Sequence, residues 1–244
     1  MMGKCMYLRK GETHTAPSRG ILANTLAVGS TVKLMENNAA VEYLIVHQGL
    51  PSSLYDASCD GCWVLRKDVH SLRPWHVSYQ SYSNYYQRSD INAWLNNDFF
   101  TSLGSVEQSI IKQVKIPYVE GGSSVQSGAN GLPTKIFLLS CREVGQNTID
   151  ASDSFPFDGS CLSYFEPGNG TSANNKRIAN LNETATSWWI RSPVTSANTY
   201  VWYIGNSGSF SRDKVYNDHG VRPALILPNN ALFDKSTLLL KGVT

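Results

Sequence analysis

Side chains that can move protons, hold metals or attack carbonyl groups are thinly spread in this sequence. Five histidines, His14, His47, His70, His76 and His219, stand far apart. None falls in His-Glu-x-x-His or another ligand spacing, so no metal centre is expected. Cys59-Asp60-Gly61-Cys62 has the spacing of half a zinc site or a redox pair, but no second pair completes a tetrahedral set. These two thiols are expected to be structural, and the odd count of five cysteines (Cys5, Cys59, Cys62, Cys141, Cys161) excludes a complete set of intrachain disulfides. Gly168-x-Gly170-x-x-Ala173 would be a dinucleotide fingerprint only between a strand and a helix, and the flanking YFEPGNG offers neither. Gly-x-Ser-x-Gly, the phosphate-cradling loop and the kinase signatures are absent. A catalytic triad assembled in space leaves no such trace, because its members need not be neighbours in the chain. Asp150, Asp153 and Asp158 could serve as acid and base on glycan or cell-wall material, although loop aspartates commonly just cap turns. The failure of the common motifs favours a binding protein over an enzyme, with no cofactor.

The segment from Val194 to His219 has the chemistry of recognition. It mixes Ser, Thr, Asn, Asp, Arg, Lys and His with Trp202 and Phe210, a blend of rigid aromatic area and adaptable hydrogen bonding. The candidate ligand-binding residues are Asn198, Tyr200, Trp202, Asn206, Ser209, Phe210, Ser211, Arg212, Asp213, Lys214, Tyr216, Asn217, Asp218 and His219. Alternation in Thr-Tyr-Val-Trp-Tyr-Ile (199–204) reads as a half-buried strand whose aromatics are core, and Trp188, Trp189, Val201 and Tyr203 are expected in the core.

The elements that must carry these residues are read from periodicity. TVKLME (31–36) and VEYLIVHQG (41–49) flank Asn37-Asn38 and predict a hairpin. CWVLRKDVH (62–70) predicts a third strand, and RPWHVSYQSYSNYYQ (73–87) a polar connection. In SDINAWLNNDFF (89–100), Ile91, Trp94, Leu95 and Phe99 recur at helical spacing behind a Ser89 or Asp90 cap. Ser105-x-x-Gln108 predicts a capping box for a second short helix that ends before Pro117. KIFLLS (135–140) reads as a buried strand. Thr199–Ile204 and Ser209–Ser211 flank Gly205-Asn206-Ser207-Gly208 as a second hairpin. GVRPALIL (220–227) reads as a strand entered through Pro223. Strands, then two helices, then strands predict an α+β fold.

The chain has 244 residues and is 41% hydrophobic, enough apolar side chain for a packed core in one domain, 1–244, with an N-terminal extension over 1–28. A net charge of +2 without a basic block argues against nucleic acid as a partner. Neither a signal peptide nor an apolar run of membrane-spanning length is visible, so no membrane insertion is expected.

Trp-Trp-Ile-Arg-Ser-Pro (188–193), Tyr-Val-Trp-Tyr-Ile-Gly (200–205) and Gly-Val-Arg-Pro-Ala-Leu-Ile-Leu (220–227) together resemble a group of proteins of gut bacteria and their phages. That group includes the variable proteins of diversity-generating retroelements. TVKLMENNAAVEYLIVHQG, SLYDASCDGCWVLRKD, IKQVKIPYV and KIFLLSCREVG fit the same group, so the resemblance covers most of the chain. It implies a C-type-lectin-like fold with two helices and long loops. It also implies scaffold roles for Trp188, Trp189, Arg191, Ser192, Pro193, Gly220, Val221, Arg222, Pro223, Ala224 and Leu225, with diversified, ligand-facing residues in between. The implied ligand is a protein or glycan of a cell surface, met at a virion or bacterial exterior. A phage structural component such as a tail fibre, a homo-oligomer, is the implied setting; a purely structural virion module is the alternative without a ligand.

Overall fold

The computed structural model describes residues 20–78, 84–121, 124–148 and 155–244. Ten strands build two five-stranded sheets. In chain order they are β1 (Thr31–Glu36), β2 (Ala39–Gln48), β3 (Cys62–Arg66), β4 (Leu72–Pro74) and β5 (Ile136–Phe137). There follow β6 (Trp188–Pro193), β7 (Tyr200–Ile204), β8 (Phe210–Lys214), β9 (Asp218–Gly220) and β10 (Ala224–Leu227). One sheet runs β5-β10-β3-β2-β1 and the other β8-β7-β6-β9-β4. All neighbours are antiparallel except β6 and β9, which pair in parallel at Trp188 and Gly220.

Local chemistry explains the first sheet. Asn37 and Asn38 have φ of 47° and 64°, which closes β1 onto β2 through a two-residue loop of the kind that matches strand twist. Val32, Leu34, Ile45 and Val64 are fully buried, whereas Lys33 and Met35 alternate to the partly exposed face. Pro223 stands just before β10, so its missing N–H leaves the ladder of that interior strand intact. The segment Gly220-Val221-Arg222-Pro223 is thus the crossover between the two sheets, and its side chains are buried with them.

The helices are α1 (Asp90–Trp94), continued by a π-helical turn (Leu95–Phe99) and Phe100–Ser102, then α2 (Ser105–Ile110) and α3 (Thr171–Arg177). Ser89 caps α1 by accepting the Asn92 amide at 3.1 Å. Asn96 protects the edge of β5: its Oδ1 accepts from the Ile136 and Lys135 amides and its Nδ2 donates to the Ile136 carbonyl. The capping box expected at Ser105 does not form. Gly104 takes the cap position, and the Gln108 side chain donates to the carbonyl of Leu103 at 2.6 Å.

The α+β, C-type-lectin-like fold class is overturned, because strand makes up 36% of the chain against 18% helix, distributed over several separate sheets. The strongest helical periodicity produced only one bulged helix, and the loops between the helices folded into short strand pairs such as Val114–Ile116 with Leu132–Thr134. Within the span read as an N-terminal extension, 1–28, Ile21–Leu22 pairs with Ala231–Phe233, and Ala23 is fully buried. Residues 1–19, which include Cys5 and His14, lie outside the described residues. A helix does follow the Gly168-x-Gly170 stretch, since α3 starts at Thr171, but no strand leads into it, so the dinucleotide reading still fails.

Among the described residues no group of three or more His, Cys, Asp or Glu side chains could hold a metal, and no helix is long and apolar enough to cross a membrane. Cys59 and Cys62 are free and buried. Burial pushes their thiols up to about 11 and about 12, so both stay protonated and inert.

Candidate binding face

The β7–β8 hairpin carries most of the candidate residues, and its pairing decides where each one faces. Tyr200 lies opposite Lys214, Trp202 opposite Arg212, and Ile204 opposite Phe210; Val201 opposite Asp213 and Tyr203 opposite Ser211 alternate with them. Directly opposed residues share a face of the sheet. The fourteen candidates therefore do not form one surface. Tyr200, Trp202, Phe210, Arg212 and Lys214 belong to one face, and Ser211 and Asp213 to the other, together with Tyr203.

Exposure divides them further. Asn198, Asn206, Ser209, Arg212, Lys214, Tyr216 and Asp218 are exposed, while Tyr200, Phe210, Ser211, Asp213 and Asn217 are half-buried. Two are corrected as surface residues: Trp202 is 8% exposed and His219 also 8%. Trp202 stacks on Phe155 at 3.8 Å between ring centroids, an interior role that strand alternation alone could not reveal. His219 lies flat on Tyr203 at 4.0 Å and edge-on to Trp189 at 4.5 Å.

On the first face, Trp202 and Phe210 meet the long connection between β5 and α3. A cleft of about 360 Å³ opens there, lined by Gln146, Thr148, Phe155, Asn169, Asn174, Trp202, Ser209 and Phe210. Phe155 packs edge-on to Phe210 at 5.7 Å. Arg177 locks the walls of this cleft. Its buried guanidinium donates to the carbonyls of Gly208 (2.7 Å), Val144 (3.1 Å) and Gly168 (3.0 Å) and to Asn174 Oδ1 (2.5 Å). Its charge faces carbonyl and amide oxygens rather than a carboxylate, and burial lowers its pKa from the usual arginine value. The same guanidinium lies 4.6 Å over the Phe210 ring.

Gly208 makes that closure possible. Its φ is +79°, and a Cβ there would strike the backbone carbonyl of Asn174. Gly208→Ala is expected to destabilise the fold by about 1–3 kcal/mol through strain and collision, measured as a lower urea midpoint at unchanged m-value. A wild-type midpoint would show that the hairpin loop and α3 do not touch.

The frame beneath the hairpin is polar at its centre. Arg191 on β6 is fully buried and grips Glu143 through two bonds, Nη1–Oε2 at 2.5 Å and Nη2–Oε1 at 2.7 Å. It also donates to the carbonyls of Pro117, Leu138 and Asp158. Glu143 accepts in addition from Tyr55 Oη at 2.8 Å and from the Ser140 amide at 2.9 Å. Beside this pair Ser192 donates to Asp158 at 2.8 Å and accepts the Cys141 amide at 2.8 Å.

Of the carboxylates considered as acid and base, Asp158 alone falls among the described residues. Asp158 is fully buried within the frame, and Asp150 and Asp153 lie outside the described residues. Burial pushes the Asp158 carboxyl up to about 6, against the pull of Arg191 and Ser192. The folded chain thus keeps this proton to higher pH than the unfolded chain does. The stability it supplies is complete below the ordinary aspartate range, about pH 4, and is lost as the pH rises through about 6. Urea titrations at pH 5 and pH 8 should therefore show a drop in stability at the higher pH that is smaller in Asp158→Asn.

On the second face of the hairpin, three polar groups from separate segments meet. Ser187, the residue before β6, lies with Oγ 2.7 Å from His219 Nδ1. His219 Nε2 lies 3.0 Å from Asp213 Oδ2, and Asp213 Oδ1 accepts from the Lys214 amide and from Asn217 Nδ2, both at 2.8 Å. Ser187 was not recognisable as a site residue in the sequence, and neither were Phe155, Arg177 and Glu143. They sit in irregular or helical segments whose spatial neighbours are up to 88 residues away in the chain.

A family model described as "Domain of unknown function (DUF6273)" matches residues 60–229, more than half of the chain. The matched span runs from the start of β3 to just past β10 and contains the hairpin, the buried frame and the crossover. No curated protein and no solved structure matches.

Proposed function

We propose, from the premise that the chain belongs to the DUF6273 family, that it is a ligand-binding protein whose contact surface is the β7–β8 hairpin and the cleft beside it. The cleft walled by the stacked rings of Phe155 and Trp202 and by Phe210 carries this reading. Apolar ring edges stand next to the amides of Gln146, Asn169 and Asn174 and the hydroxyls of Thr148 and Ser209. Concave sites of this composition bind polar ligands with apolar faces, because a few placed hydrogen-bonding groups set orientation while the rings supply area. Sugars have such faces, which favours a cell-surface glycan as the ligand, met at a virion or bacterial exterior.

The exposed Arg212, Lys214 and Tyr216 extend the contact surface along the edge strand β8. Exposed side chains on a strand whose backbone is paired along its length with β7 can be exchanged at little cost, typically no more than ~0.5 kcal/mol each. That tolerance is what a diversified surface requires.

A glycan array probed with the wild-type chain and with an Arg212→Ala, Lys214→Ala, Tyr216→Ala variant tests the proposal. Capture of a defined glycan, weakened at least about tenfold in the variant with the melting temperature nearly unchanged, is expected, since aromatic and arginine contacts dominate interface energies. Capture that is identical in the variant and in Phe210→Ala would refute the assignment of the surface.

A further inference from the structure

Ser187, His219 and Asp213 form a hydrogen-bonded chain that ends at an open cavity. Ser187 is half-buried and lines an open cavity of about 410 Å³ with Ala185, Thr186, Tyr203, Gly205 and Asn206. The imidazole behind it is held in plane by Tyr203 and Trp189, and its hydrogen bonds to Ser187 and Asp213 select one of the two ring orientations. A carboxylate can only accept, so the Asp213 contact at 3.0 Å places the imidazole proton on Nε2. Nδ1 then carries a lone pair directed at Ser187 Oγ, 2.7 Å away. A hydroxyl nucleophile, a base within hydrogen-bond reach and a third group that orients the base are the arrangement by which serine is activated.

We infer that Ser187 and His219, oriented by Asp213, form a hydrolytic site that cleaves small acyl esters from a neutral polar ligand. Ser187 Oγ attacks the ester carbonyl carbon and passes its proton to His219 Nδ1, forming a tetrahedral intermediate. The intermediate collapses with cleavage of the ester C–O bond. The alcohol leaves with the proton from Nδ1, and the acyl group remains on Oγ. Water then gives a proton to Nδ1, attacks the acyl carbon and releases the carboxylic acid, and Oγ recovers its proton. No oxidant or cofactor is needed. Asp213 touches no substrate and is a positioning residue.

The substrate class follows from the cavity. Its described lining has hydroxyl, phenol and amide groups and no charged side chain, which suits an acylated hydroxyl compound rather than an acidic or basic one. Asn206 supplies an amide to the same wall, the type of donor that stabilises an oxyanion. Burial lowers the His219 pKa, and the hydrogen bond and charge of Asp213 and the charge of Asp218 only partly offset it. Despite partial burial, which acts to raise it, the hydrogen bonds from His219, the Lys214 amide and Asn217 hold the Asp213 carboxyl below its usual range. Base and orienting group are therefore in the protonation states the mechanism needs at neutral pH. This site lies on the opposite face of the hairpin from the aromatic cleft and does not depend on it.

A fluorophosphonate probe and p-nitrophenyl acetate, applied to the full chain, test the inference. The expected result is one phosphonyl adduct per chain on the peptide containing Ser187, lost in Ser187→Ala. Ester hydrolysis should rise with pH through an inflection below the ordinary histidine range. In Asp213→Asn the rate should fall by ~10²-fold or more and the inflection should move, a change that a merely structural role for Asp213 would not produce. An adduct on another serine, equal labelling of Ser187→Ala, or no adduct on a wild-type chain that melts cooperatively would overturn it. An unchanged pH profile in Asp213→Asn would do the same. Loss of glycan capture leaves this readout untouched, so the two proposals fail separately.

Discussion

Glu143→Ala is expected to destabilise the chain by about 3–5 kcal/mol, the range observed when one partner of a buried ion pair is removed. The cause is the charge left behind rather than the bond lost. Arg191 is fully buried, and burial alone would lower its pKa; Glu143 and the nearby Asp158 reverse this and raise it above the usual arginine value. Without Glu143 its guanidinium keeps only backbone carbonyls as hydrogen-bond partners, while Tyr55 Oη and the Ser140 amide lose their acceptor. For a chain of this size the loss corresponds to a fall in melting temperature of roughly 6–20 °C. A double-mutant cycle with Arg191→Met should give a coupling energy of about 0.5–3 kcal/mol. A cycle with no coupling, or a single variant that melts like wild type, would remove the pair from the frame.

Trp189→Ala should cost about as much, ~3–5 kcal/mol, by a different route. The indole is fully buried, donates Nε1–H to the Arg73 carbonyl at 2.9 Å and meets Trp75 at 5.9 Å, Tyr203 and His219. Its removal leaves a cavity between β4, β6 and β7 and an unpaired carbonyl. It also takes away one wall of His219, so fluorophosphonate labelling of Ser187 should slow in any fraction that remains folded. By contrast, removing Arg212, Lys214 and Tyr216 together should leave the melting temperature nearly in place. Calorimetry on the two variants tests the separation of frame from surface, and equal losses would contradict it.

Those contrasts follow from what was legible in the chain. Asn37-Asn38 specified its hairpin because residues that tolerate φ > 0 are few. Trp188, Trp189 and Val201 were recognisable as core from their apolar bulk, and all three are fully buried, whereas Tyr203, expected with them, is half-buried; β6 is buried on both faces, so no alternation marks it. The helical face of Ile91, Leu95 and Phe99 was legible too, and all three are buried. Misreadings arose where local signals compete with distant contacts. Ser105 and Gln108 have the capping pattern, yet the Gln108 side chain found the Leu103 carbonyl instead. Trp202 has the composition of a binding residue, but Phe155, from a segment without periodicity, covers it.

By itself the sequence determined that the last third is built from strands with an aromatic interior and polar connections, because alternation, turn residues and side-chain volume act over a few positions. Tertiary structure alone decided which face each hairpin residue occupies, how Arg177 closes the cleft, and that Ser187, Asp213 and His219 meet. Those outcomes depend on register and on side chains brought together from remote parts of the chain, and no local propensity encodes such distances.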